Sequence, residues 1–171
     1  MLRCLLLAAV LLVVACGPAP ELAVPAGEHR EIMPLPPPAL TGETSLEEAL
    51  AQRRSVRDFS EGELTTAELG QLLWAAQGVT GAHGYRTAPS AGSIYPLDVY
   101  AVTADGLYHS EVAQHALAIL ARTDLRPALR EAALRQAAVG RAPALFVIAA
   151  VYERTEVKYG AERGPRYVHL E

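Results

Sequence analysis

Ten consecutive residues, Ala142-Pro143-Ala144-Leu145-Phe146-Val147-Ile148-Ala149-Ala150-Val151, carry neither a charge nor a polar side chain. An almost unbroken apolar run of this kind is expected of a strand buried on both faces. It reads as the central strand of a sheet, which the rest of the chain must cover on both sides. A chain of 171 residues, 51% hydrophobic and 20% charged, is long enough to bury one real core and reads as a single globular domain.

The elements around that strand follow from local signals. Leu97 to Thr103 alternates as a strand, Ala104-Asp105-Gly106 turns, and Leu107-Tyr108-His109 returns, which predicts a hairpin. Ser45 has Glu48 three residues on and caps a helix from Leu46 to about Arg53; Thr65 and Glu68 repeat the signal. After Thr65, Leu69, Leu72, Leu73 and Ala76 recur at helical spacing, and Gly78 is a plausible C-cap. Glu111 to Arg122 reads as a further helix. Asp124 caps another over Leu125 to Ala138, where Pro127 fits the first turn and Gly140 closes the end. Gly160 and Gly164 bracket a polar loop, and a new helix is expected from Arg166.

The N-terminus reads as an address. Met1-Leu2-Arg3 is a short positive region, and Leu5 to Val14 an apolar run too short to span a bilayer comfortably. It ends in Val13-Val14-Ala15-Cys16-Gly17, which resembles a bacterial lipoprotein signal with Cys16 as the lipidated residue. An ordinary secretory signal or an uncleaved anchor stays open. On the lipoprotein reading residues 1–15 are removed, and the protein is exported and held on the periplasmic or cell-surface side of a membrane. Residues 16–43 are dense in proline, which favours extended chain, and read as a tether. The domain proper is placed at 44–171.

Several chemistries are set aside. The formal charge is −4 with no basic tract, so nothing points to nucleic acid. Five histidines show no metal-ligand spacing, and removing the signal leaves no free thiol beside Cys16. Neither a G-x-S-x-G elbow, nor a P-loop, nor a G-x-G-x-x-G fingerprint is present.

Two stretches remain. Pro89-Ser90-Ala91-Gly92-Ser93 packs small residues immediately before the Leu97 strand, and such a loop lets backbone approach a ligand closely. Upstream, Arg53-Arg54-Ser55-Val56-Arg57 sets three guanidiniums within five residues. Read alone, the first is open to being a surface turn and the second a solvated basic helix end. Together, and with Leu72-Leu73-Trp74-Ala75-Ala76-Gln77-Gly78-Val79-Thr80 between them, they resemble the nitroreductase family of flavin enzymes. His115-Ala116-Leu117 following Leu107-Tyr108 adds to the likeness, which runs from about Ser45 onward. Within the family, the sequence looks most like the peptide-azoline dehydrogenases of SagB or ThcOx type.

The resemblance implies an α+β fold, with a central, mainly antiparallel sheet flanked by helices. It implies FMN as cofactor. Arg53, Ser55 and Arg57 would hold its phosphate and ribityl chain with Arg54 beside them, and Pro89, Ser90, Ala91 and Gly92 would approach the ring. Arginine forks and a hydroxyl suit a phosphate dianion. It also implies a homodimer, a small-molecule or modified-peptide substrate, and hydride transfer at the flavin N5. A Lys–Tyr pair is associated with azoline oxidation in this branch. Lys158, Tyr95 and Tyr159 are the nearby candidates, and the catalytic residues stay unassigned. Relatives continue past the position of Glu171 with a core helix and further flavin contacts, so the chain is expected to be a truncated form. A non-catalytic, ligand- or partner-binding lipoprotein is the alternative function.

Overall fold

The computed structural model describes residues 30–171. Cys16, the signal and the first part of the proline-rich stretch lie outside them. The described chain forms one antiparallel sheet of five strands: β1 (Ile32–Pro34), β2 (Leu97–Val102), β3 (Leu107–Glu111), β4 (Ala116–Ala121) and β5 (Leu145–Ala150), in the order β1-β4-β3-β2-β5. Helices α1 (Leu46–Gln52), α2 (Thr66–Gln77), α3 (Arg126–Ala132), α4 (Ala137–Arg141) and α5 (Tyr152–Val168) flank it. No helix among the described residues is long and apolar enough to cross a membrane.

The side chains sort onto two faces by strand alternation. Val99, Ala101, Tyr108 and Leu117 join Leu69 and Leu73 of α2 in the main core. Val102 and Leu145 meet Ala133, Val139 and Ala142 on the other face, beneath α3 and α4. The expected caps of α1 and α2 form: Ser45 Oγ accepts from the Glu48 N–H at 3.1 Å, and Thr65 with Glu68 makes a reciprocal capping box. The β2–β3 hairpin forms as expected.

Five expectations are corrected. The run read as a central strand, β5, lies at a sheet edge and pairs only with β2 among the described residues. Leu145 packs against Ala133 and Val139 of the α3–α4 region, while Phe146 to Ala149 are only half-buried. The stretch read as a helix over Glu111 to Arg122 is instead a short turn followed by β4. His115 takes the left-handed conformation (φ 46°), which reverses the chain, and β4 then pairs with strands on both sides. Its alanines and leucines favour helix in isolation, but burial between two strands outweighs propensity.

The proline-rich tether also ends earlier than expected. Ile32–Pro34 pairs with β4 and Leu35 is buried in the main core, because extended proline-containing chain suits a sheet edge. Finally, the helix expected over Leu125–Ala138 breaks in two, with Leu134 and Arg135 both left-handed (φ 57° and 58°), and Gly140 lies inside α4. The polar stretch between Gly160 and Gly164 is helical after a kink at Gly160, so the helix expected from Arg166 begins earlier.

Candidate functional site

The arginine segment leaves the end of α1 without regular structure. The Arg53 N–H closes α1 on the Ala49 carbonyl, while Arg54 Nη1 donates to the carbonyls of Ala51 (2.9 Å) and Arg53 (2.8 Å). Arg57 Nη1 donates to the Ser55 carbonyl at 3.4 Å. Among the described residues none of these three guanidiniums pairs with a carboxylate, and all are exposed. The backbone is fixed from behind: Arg141 of α4 binds Asp58 Oδ1 at 2.9 Å, and Phe59 packs beside Val102 and Leu145. Exposed cations on an anchored backbone fit a phosphate-sized anion.

The Pro89–Gly92 loop is built differently. Gly92 (φ 63°), Ser93 (φ 57°) and Tyr95 (φ 53°) are all left-handed, a concentration of backbone strain typical of ligand-facing turns. Ser90 Oγ accepts from the Tyr95 N–H at 2.8 Å and donates to Glu171 Oε1 at 2.7 Å. The Ala91 N–H also donates to Glu171 Oε1, at 2.8 Å. Lys158 Nζ donates to the Gly92 carbonyl at 3.3 Å. A Cβ on Gly92 would collide with Lys158 Nζ and lie 2.6 Å from the Tyr159 hydroxyl. Glycine is required there twice, for its φ and for this approach.

Basic groups gather behind the loop. Arg154 donates to both oxygens of Asp98 (2.8 and 2.9 Å) and to the Tyr95 carbonyl at 3.2 Å; its bond to Asp98 raises its pKa above the ordinary value. The Arg86 guanidinium lies 4.0 Å from the Tyr95 ring centroid and donates to Gln77 Oε1 at 3.2 Å. Burial lowers its pKa, partly opposed by Tyr95 and Asp98. Tyr159 stacks on Tyr167 with centroids 4.2 Å apart.

The structure therefore gives two half-sites. Phe59 adjoins the Val102 end of β2, whereas Tyr95 and Pro96 lead into its Leu97 end. Six residues of extended chain separate them, roughly 20 Å. Among the described residues, no hydrogen bond or ion pair joins Arg53, Arg54, Ser55 or Arg57 to Pro89, Ser90, Ala91 or Gly92. Arg86, Arg154 and Glu171 were not singled out as site residues by the sequence. Lys158 and Tyr159 carried one signal, as the chain's single lysine followed directly by a tyrosine. Among the described residues no group of three or more His, Cys, Asp or Glu could hold a metal ion.

Residues 50–170 match the sequence pattern of the nitroreductase family. The chain belongs to the nitroreductase family. A nitroreductase of Methanocaldococcus jannaschii is 42% identical, over 75% of this chain and 68% of its own length. The crystal structure of a nitroreductase from Ralstonia eutropha superposes with a TM-score of 0.70 at 31% identity, covering 84% of this chain and 67% of that one. The E. coli microcin synthetase McbBCD complex, with truncated pro-MccB17 bound, shares the fold with a TM-score of 0.56 at 19% identity, covering 92% of this chain and 65% of that one. As a nitroreductase, the protein is an oxidoreductase of α+β fold, and its family typically binds flavin.

Proposed function

We propose that this nitroreductase is an FMN-dependent dehydrogenase of the SagB type, exported as a lipoprotein and active as a homodimer. The observation that carries the reading is the Lys158–Tyr159 pair set against Gly92 of the small-residue loop. FMN, when bound, supplies a two-electron acceptor at N5. Arg53, Ser55 and Arg57, with Arg54 beside them, hold the phosphate and ribityl chain, and Pro89 to Gly92 lie against the ring. Oxidising a C–N ring in a modified peptide releases a proton as well as a hydride, and Lys158 and Tyr159 are the titratable groups placed to handle it.

Two half-sites at opposite ends of β2 favour a site shared between chains. So does α1, which delivers Arg53 while exposing Leu46 (70%) and Leu50 (65%) and burying none of its residues. The membrane anchor rests on Cys16. A Cys16→Ser variant is expected to move from the membrane fraction to the soluble exported fraction.

The deciding experiment is the visible absorption spectrum of the purified protein, with FMN added if it emerges colourless. A bound-flavin spectrum that bleaches on reduction supports the enzyme. A protein that FMN does not affect leaves the ligand- or partner-binding alternative. Lys158→Met and Tyr159→Phe should each retain FMN and lose about 100-fold or more in substrate oxidation. Unchanged turnover in both would remove the azoline-type assignment while leaving the flavoprotein reading intact.

A further inference from the structure

We infer that Glu171 is the positioning residue of the Ser90–Tyr95 loop. The inference rests on the FMN reading only for its functional consequence. One carboxylate oxygen, Oε1, accepts from both Ser90 Oγ (2.7 Å) and the Ala91 N–H (2.8 Å). Ser90 Oγ in turn accepts from the Tyr95 N–H (2.8 Å), so one chain of hydrogen bonds runs from Glu171 to the far end of the loop. Gly92 and Ser93 between those anchor points, and Tyr95 at the far one, are all left-handed. Left-handed serine and tyrosine are unfavourable and persist only where surrounding contacts over-determine them. The Glu171 clamp, with the Ser93 N–H donating to the Ser90 carbonyl at 3.0 Å, supplies that constraint.

Glu171 Oε2 is buried and has no hydrogen-bond partner among the described residues. A buried acceptor left unpaired adds nothing to stability, so the contacts that matter are those of Oε1. This is the single oxygen that holds Ser90 and Ala91. Through them it sets Gly92 against Lys158 and Tyr159, which lie on a different element. Glu171 thus acts on the site through the loop rather than by touching the reacting groups.

An amide separates this role from a general structural one. In Glu171→Gln the side-chain oxygen can still accept both bonds; in Glu171→Ala neither is possible. Amide hydrogen exchange at Ala91 and Tyr95 reads the clamp directly and needs no flavin. Glu171→Ala should speed exchange at both amides about tenfold or more, and Glu171→Gln should restore protection. Ser90→Ala should release Tyr95 while leaving Ala91 protected. For FMN titrated into the protein, Glu171→Ala should weaken binding about tenfold, and Glu171→Gln should bind as the parent does. Unaltered exchange at Ala91 in Glu171→Ala, or a Gln variant as defective as the Ala one, would overturn the inference. If the parent protein binds no FMN, the flavin reading fails, and the exchange data still decide the clamp.

Discussion

At Gly92 the room for a single carbon separates a formed loop from a blocked one. A methyl group there would be strained at φ 63° and would meet Lys158 Nζ and the Tyr159 hydroxyl. Gly92→Ala is therefore expected to cost about 1 kcal/mol or more in backbone terms. It should also push Lys158 and Tyr159 off the loop. The expected outcome is a modest fall in melting temperature with a disproportionate loss of FMN binding, read by titration against the parent. Normal FMN binding in that variant would show that the ligand does not depend on this approach. The loop itself was legible in the sequence, because its small residues and glycine are local and contiguous. Lys158, Tyr159 and Glu171 reach it across separations of 66 to 81 residues, which only the fold supplies. Arg154 was hidden for the same reason, its partners Tyr95 and Asp98 lying 59 and 56 residues away.

Elements whose causes are local came out of the sequence correctly, and those decided by neighbours did not. The α2 capping box is local: Thr65 Oγ1 accepts from the Glu68 N–H at 3.2 Å, and Glu68 Oε2 accepts from the Thr65 N–H at 2.8 Å. Thr65→Ala should cost about 1 kcal/mol, seen as a fall of a few degrees in melting temperature. In contrast, β4 carries a helix-favouring composition and becomes a strand because β3 and β1 close on both its edges. The α3–β5 connection depends on a pair that the sequence only half revealed. Asp124 was read as a cap, and its Oδ1 does accept from the Arg126 N–H at 3.0 Å. It also grips the Arg126 guanidinium, which reaches the carbonyls of Ala142 and Pro143 at 3.4 and 3.3 Å and so ties α3 to the entry of β5. The bond from Arg126 holds the Asp124 pKa below the ordinary aspartate value. A lowered carboxylate pKa stabilises the fold above the unfolded value, about 3.9, and that contribution disappears as pH falls through the lower folded value. Asp124→Ala should thus be less stable than the parent in urea at neutral pH. The gap should narrow in strongly acidic buffer, and a gap that widened there would contradict the assignment.

The whole molecule carries two candidate half-sites that share no hydrogen bond among the described residues. The segment carrying Arg53, Arg54 and Arg57 runs into Phe59, which packs beside Val102 at one end of β2, and the Gly92 loop leads into its Leu97 end. In a homodimer with two-fold symmetry, the arginine segment of one chain can complete the loop of the other, giving two equivalent sites. This arrangement makes a prediction that a single-chain site does not. A chain carrying Arg53→Ala and Arg57→Ala keeps a working loop, and a Gly92→Ala chain keeps a working arginine segment. Each alone should bind FMN poorly. Mixed under conditions that let subunits exchange, half of the dimers are hybrids, and each hybrid rebuilds one intact site from the loop of the first chain and the arginines of the second. Bound flavin in the mixture should rise to about a quarter of the parent level under random pairing. If both segments served a site within one chain, every site in the mixture would contain a defect and mixing would recover nothing. Size-exclusion chromatography of the mixture, monitored at a flavin wavelength, separates the two outcomes.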